Sequence, residues 1–406
     1  MPETLDSASS SFAPRPPLLT RLLLLRFVSI LGASTSFYLL LSVVPHYAST
    51  GGAGAGAGGA AGLATGALML ATVVGEFVTP RLVDRFGYRL VLGAGLVLLG
   101  APALVLTLSR DLWWIVAVCL LRGLGFAFTV VAGGALTASL IPAERRGEGL
   151  ALVGIVSGVP SLAALPLGVW LAAHTGYGVV CTMGAVAALA AIVSVPGLPD
   201  RVRVSGRAIG ITEGLRTAQL TCPAVVFAAV AMAAGIVVTF LPLAVPASAT
   251  GLVTVALFVQ PATATLARWL AGRHGDRRGP AGLVLPGLLL SASGTLLMAL
   301  TSSPVAVVIA VGVFGFGFGV TQNATLTLMY ARVPAAGYDT VSALWNLAYD
   351  AGMGVGAIAF GWFSAGTGYR WAFALTGAAM LTALAPAWRD RRTVRPALET
   401  PVTETP

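Results

Sequence analysis

Residues 81–87 read Arg-Leu-Val-Asp-Arg-Phe-Gly, and residues 273–279 read Arg-His-Gly-Asp-Arg-Arg-Gly. The two stretches are 192 positions apart and share Arg, Asp, Arg and Gly at the same places. The same offset pairs Gly123, Gly125 and Phe126 with Gly315, Gly317 and Phe318. It also pairs Pro142-Ala143 with Pro334-Ala335, and Thr175-Gly176-Tyr177 with Thr367-Gly368-Tyr369. One constant offset recurring in four separate places marks an internal duplication.

What is duplicated is apolar. Of 406 residues, 57% are hydrophobic and only 10% charged, against about 25% charged in a soluble domain. Such a chain cannot cover a water-facing surface. A bilayer core needs about 20 apolar residues in a helix. Windows of that size give twelve segments, near 21–45, 60–81, 88–108, 112–137, 147–172, 177–196, 219–244, 249–270, 281–301, 304–328, 339–363 and 370–388. The first is too long for the core of a signal peptide and is read as a span. Connections are short except Pro196 to Gln219, which carries Asp200, Arg201, Arg203, Arg207, Glu213 and Arg216.

The expectation is an all-α membrane protein with twelve transmembrane helices in two pseudo-symmetric six-helix halves. Its divisions are an N-terminal tail (1–20), a first half (21–196), a linker (197–218), a second half (219–388) and a C-terminal tail (389–406). Parallel repeats of this kind belong to secondary transporters, where substrate binds near the midplane and the halves rock.

All 24 basic residues are arginine. The absence of lysine removes P-loop and Schiff-base chemistry. Placing both termini in the cytoplasm puts 19 arginines there, leaves Arg110 and Arg370 outside, and puts Arg26, Arg122 and Arg268 within spans. The positive-inside rule favours that orientation. The arginine tails read as anchors on an anionic leaflet rather than nucleic-acid sites. Cys119, Cys181 and Cys222 lack CxxC spacing and read as packing residues, and three scattered histidines make no metal site. Gly54 to Gly59 matches GxGxxG, yet no strand precedes it, so it reads as a Gly/Ala loop between the first two spans.

Within spans, Glu76 and Asp350 are the acidic residues, and each is expensive in hydrocarbon unless paired, protonated or facing water. Asp350 lies about eleven residues into its span, roughly 16 Å and near the midplane, while Glu76 is closer to the cytoplasmic end. Asp350 reads either as a proton-linked site, as a fixed partner of Arg122 or Arg26, or as a hydrogen-bonded cap. Arg122 reads either as a coupling or anion-binding residue or as a structural partner for a carboxylate. Tyr38, Gln260, Gln322, Asn323, Trp345 and Asn346 are sparse polar and aromatic groups suited to a cavity for an amphiphilic molecule. No nucleophile–base cluster is present, so catalysis and cofactors are not expected.

The chain from Arg21 to Arg389 resembles the major facilitator superfamily. The family's loop between spans 2 and 3 is Gly-x-x-x-Asp-Arg-x-Gly. It is matched by Gly272, Asp276, Arg277 and Gly279, and by Asp84, Arg85, Gly87 and Arg89 with Pro80 at the first Gly. The resemblance implies that these loops steady the closed cytoplasmic side, that spans 2 and 11 face each other, and that Arg122 matches a span-4 arginine motif. Gly154, Gly158, Pro160, Pro166 and Gly168 resemble the span-5 signature of drug–proton exchangers, or else serve ordinary helix packing. The implied function is proton-coupled efflux (antiport) of a small organic molecule by alternating access. The implied setting is the plasma membrane, with the lipid bilayer, protons and a small-molecule substrate as partners and a monomer as working unit. Uptake of a nutrient such as a sugar, organic acid or peptide-like solute is the alternative, and a non-transporting sensor a more distant one.

Overall fold

The computed structural model of the chain describes residues 19–51, 56–142, 146–201, 214, 216–245, 250–300, 303–334 and 337–394, and no strand occurs among them. Helices are the outcome because hydrocarbon offers no partner for a backbone N–H or C=O, so each span must satisfy its own. The first half contains α1 (Arg21–Gly51), α2 (Gly56–Phe86), α3 (Tyr88–Leu108), α4 (Leu112–Leu140), α5 (Arg146–Thr175) and α6 (Tyr177–Gly197). The second contains α7 (Ala218–Ala244), α8 (Thr250–Arg278), α9 (Ala281–Leu297) and α10 (Pro304–Ala331). A final rod, Tyr338–Leu381, leaves helical geometry at Gly368 (φ 76°, ψ 161°). We treat its parts as α11 (338–367) and α12 (369–381, continued by Leu384–Val394).

Ten helices among the described residues are long and apolar enough to cross a membrane, the last rod counting once. With that rod divided at Gly368 and the shorter apolar α9 added, the count agrees with the twelve expected.

The duplication is visible in the backbone. Gly87 (φ 82°) and Gly279 (φ 81°) join α2 to α3 and α8 to α9, and Gly176 (φ 88°) and Gly368 (φ 76°) join α5 to α6 and α11 to α12. Each pair is 192 residues apart, and a positive φ carries no Cβ penalty only in glycine. The packing repeats too. A Cβ on Gly125 of α4 would lie 2.6 Å from the Gly95 carbonyl oxygen, and one on Gly317 of α10 would lie 2.8 Å from that of Gly287. Gly123 abuts the Leu68 carbonyl as Gly315 abuts that of Gln260. Both obstacles keep the 192 offset.

The halves meet mainly through α2 and α11, with α5 against α8. Gly58, Gly62 and Gly66 of α2 approach Gly361, Ala357 and Ile358 of α11, and Thr65 Oγ1 of α2 bonds Thr239 Oγ1 of α7 at 2.8 Å. These contacts use the start of α2 and the end of α11, on the side opposite the termini. One sequence expectation changes here. Residues 56–59 open α2 instead of extending a loop, and residues 52–55 lie outside the described set. Gly58 explains this, since it has to be small where α2 crosses Gly361. Residues 1–18, 202–213, 215 and 395–406, with Ala143 and Ala335, also fall outside the described residues.

Candidate functional site

Between the halves, partway along the spans, lies a cluster of polar side chains. The carboxyl groups of Glu76 of α2 and Asp350 of α11 approach each other. Two carboxyls can share a hydrogen bond only when one of them carries a proton, so the pair is suited to hold one across the boundary between halves. Asp350 is buried and Glu76 half-buried.

A third charged side chain near the boundary is Arg268 of α8. Its Nη1 donates to Gln322 Oε1 of α10 at 3.1 Å and its Nη2 to Thr265 Oγ1 at 2.8 Å. Arg268 lies within electrostatic reach of Tyr38 of α1 and Tyr349 of α11, and both phenols are also within reach of Asp350. Five helices from both halves therefore supply one group. Sequence reasoning placed Arg268 within a span but gave it no role.

An aromatic wall stands next to the cluster. Trp345 stacks on Phe227 with centroids 4.3 Å apart and planes 13° apart, and Tyr349 lies at 5.8 Å and 16° from the same ring. Trp345 Nε1 donates to Thr325 Oγ1 at 3.3 Å. On the opposite half, Tyr38 meets Phe37 edge-on at 5.2 Å, and Phe37 stacks on Phe126 at 3.7 Å. Trp345, Asn346, Gln322 and Tyr38 are half-buried. Two of the expected cavity residues have other neighbours. Asn323 turns its amide toward Gly272, whose added Cβ would lie 3.8 Å from Nδ2, and Gln260 is buried with its carbonyl under Gly315.

The other two intramembrane arginines are held within the first half. Arg122 donates from Nε to the Leu99 carbonyl at 3.2 Å and from Nη2 to the Ser36 carbonyl at 3.1 Å. Arg26 donates to the carbonyls of Gly133 (3.1 Å) and Thr129 (3.2 Å), to Thr137 Oγ1 (3.1 Å) and to Ser29 Oγ (2.6 Å). Both are buried, and neither bonds a carboxylate. The fixed pairing of Asp350 with Arg122 or Arg26 is therefore not what forms; Asp350 meets Glu76.

At the α2–α3 turn the capping carboxylate is Asp200, at the end of the first half. Its carbonyl accepts the Tyr88 N–H at 2.8 Å, its Oδ1 the Arg89 N–H at 3.3 Å, and the Leu198 carbonyl accepts Arg89 Nε. Asp84 is exposed, and Arg85 lies over Phe86 at 5.1 Å. In the second half Arg277 is exposed, Gly279 makes the turn, and the Asp276 side chain lies outside the described set. On α5, a Cβ on Gly154 or Gly158 would meet nothing within 4 Å, whereas Gly168 abuts the Leu39 carbonyl of α1. Pro160 and Pro166 sit inside a continuous helix. Pro160 lines an apolar groove of about 500 Å³ shared with α1 and α6.

Paired helical halves with a cluster of charged side chains between them define a membrane transporter by class. The chain belongs to the Major Facilitator Superfamily, whose family model matches residues 22–357 and again 223–406. The overlap of the two matches fits a chain made of two related halves. Solved structures share the fold at low identity. A bacterial homolog of the human lysosomal transporter Spinster, inward-facing and occupied, superposes with a TM-score of 0.75 at 15% identity, covering 93% of this chain and 98% of that one. The xylose transporter XylE from E. coli, partially occluded and inward open, gives 0.71 at 13% identity, with 91% and 98% covered. The nucleoside transporter NupG gives 0.69 at 12% identity, with 93% and 100% covered. No curated protein matches the chain.

Proposed function

We propose that this transporter exports a small organic molecule in exchange for protons, by alternating access through the cluster between its halves. The observation that carries the reading is the approach of two carboxyl groups, Glu76 and Asp350, one from each half, where a shared proton relieves their mutual repulsion. Rocking the halves separates the two carboxyls, so proton occupancy and conformation are linked. In this reading Arg122 acts indirectly by fixing α4 against α1 and α3, where Tyr38 sits. The turns at Asp84 to Arg89 and Gly272 to Gly279 hold one state, and Gly154 and Gly158, with open space beside them, receive a neighbour in the other state. In this reading the protein works as a monomer in the plasma membrane, with both termini and the 197–218 linker in the cytoplasm, the orientation that the arginine distribution favours.

A second reading, proton-linked uptake of a small nutrient, is favoured by Arg268, a cation in the path that a carboxylate-only exchange site does not need. The test is proton flux in vesicles of purified protein, in right-side-out and inverted orientation, for the wild type, Asp350→Asn and Glu76→Gln. Loss of proton-driven flux in both variants, with counterflow of substrate retained, supports the reading. Undiminished proton coupling in Asp350→Asn refutes it.

A further inference from the structure

Applied to the site itself, the duplication offset places Glu76 opposite Arg268, since 192 residues separate them. Equivalent positions on α2 and α8 thus carry opposite charges on the two sides of one path. Glu76 has its counterpart in Asp350. Among the described residues Arg268 has no ionic counterpart of its own: its bonds go to the neutral amide of Gln322 and the hydroxyl of Thr265. Two groups that could share an anion with it stand within its electrostatic reach, the phenols of Tyr38 and Tyr349. Neither phenol bonds a protein group among the described residues. An arginine fork suits the two oxygens of a carboxylate, and a phenol supplies a further donor.

We propose that Arg268, with Gln322, Tyr38 and Tyr349, is the subsite for the acidic group of the substrate, and that the cargo is a small organic anion with a flat apolar body. The body lies against Trp345 and Tyr349, half-buried rings 6.4 Å apart and near-parallel at 7°, backed by the buried Phe227. This rests on the transport reading only in taking the space between the halves as the path. The charged and titratable groups facing the subsite are Arg268, Glu76, Asp350, Tyr38 and Tyr349. Ionisation of the carboxyl pair puts negative charge where the anion must sit, so proton and anion binding reinforce each other. By linkage the effect is reciprocal. A cargo whose affinity rises with protonation travels with protons, so this inference deepens the second reading, proton-linked uptake, and the vesicle test above decides separately on exchange.

The experiment compares three probes of one shape on the full chain in detergent: benzoate, benzamide and benzylamine. Binding is read by thermal stabilisation and by quenching of tryptophan fluorescence. Benzoate at millimolar concentration should stabilise and quench the wild type, while benzamide and benzylamine should not. Its affinity should rise as pH falls, and that dependence should flatten in a Glu76→Gln, Asp350→Asn double variant. Arg268→Gln should weaken benzoate about tenfold or more, the loss of one charge-assisted contact, and Arg268→Lys should recover part of it. An Arg268→Gln protein that melts like the wild type without ligand keeps the comparison valid; if it does not fold, Tyr38→Phe, which removes only a donor, should weaken benzoate severalfold. Benzylamine binding as well as benzoate, benzoate affinity untouched by the substitution made, or no anionic probe binding would each overturn the proposal. No gradient is present, so this test can succeed where proton exchange fails.

Discussion

Replacing Gly361 by alanine should shift the protein toward a state opened on the side opposite the termini. A Cβ at position 361 would lie 2.5 Å from the Gly58 carbonyl oxygen, 3.2 Å from its carbon, and 3.3 Å from Cζ of Phe240. Carbon–oxygen contacts settle near about 3.3 Å, so α2 and α11 must part by roughly 0.8 Å. The obstacle is backbone, so no rotamer change relieves it. Overfilling a packed contact costs about 1–3 kcal/mol, equivalent to about a 5–150-fold change in the ratio of the two states. Spin labels at Trp113 and Val305, both exposed and 192 residues apart, report the separation of the halves on that side by double electron–electron resonance. Cys222, the half-buried thiol, is replaced by serine, while Cys119 and Cys181 are buried. The control is Gly366→Ala on the same helix, where an added Cβ meets nothing within 4 Å. A longer distance in Gly361→Ala, with Gly366→Ala like the wild type, is expected. Matching distributions in all three proteins, or an equal shift in the control, would refute the reasoning that this crossing holds the side shut.

Two further outcomes concern stability, read as melting in detergent. Gly279→Ala should lose about 1–2 kcal/mol, because φ is 81° and the surroundings are open, leaving backbone strain alone. Gly87→Ala should lose about 1 kcal/mol more, since its Cβ would fall 2.5 Å from Asp200 Oδ1 and displace a cap; equal losses would show that Asp200 is idle. Arg26→Leu should cost about 1.5–3 kcal/mol, with Arg26→Lys recovering only part, because one ammonium cannot reach Thr129, Gly133, Thr137 and Ser29 together. A leucine variant melting at the wild-type temperature would show that the network adds nothing.

Much of the fold is legible because lipid leaves the chain few choices. Span length follows from bilayer thickness, and the repeated Asp-Arg-x-Gly turns mark equivalent corners of two halves. The site is harder to read, for identifiable reasons. Identity between halves reveals a duplication but passes over positions where the halves differ in sign, and Glu76 and Arg268 are such a pair. Gln322, which orients Arg268, is 54 residues away on another helix, and Tyr38 lies in the other half. Composition marks Glu76 and Asp350 as costly charges, but only the α2–α11 packing makes them one pair. On α5 the Gly154–Gly158 spacing shows which residues share a face and not what that face meets. Open space lies there, while the close approach is made by Gly168.

The three arginines within the spans show how burial sorts like residues into unlike roles. Arg26 and Arg122 spread their charge over helix carbonyls and hydroxyls of the first half, an arrangement that ties α1 to α3 and α4 and engages no carboxylate among the described residues. Arg268 faces the boundary between halves, where Glu76 and Asp350 can share one proton. With that proton in place, one arginine and one remaining carboxylate cancel, and a neutral cluster is the cheapest to keep in hydrocarbon. Under the anion-site proposal, a bound monoanion leaves the cluster with one negative charge until the pair takes a second proton. Neutrality therefore asks for one proton with each monoanion, and the sign inversion between positions 76 and 268 sets that ratio.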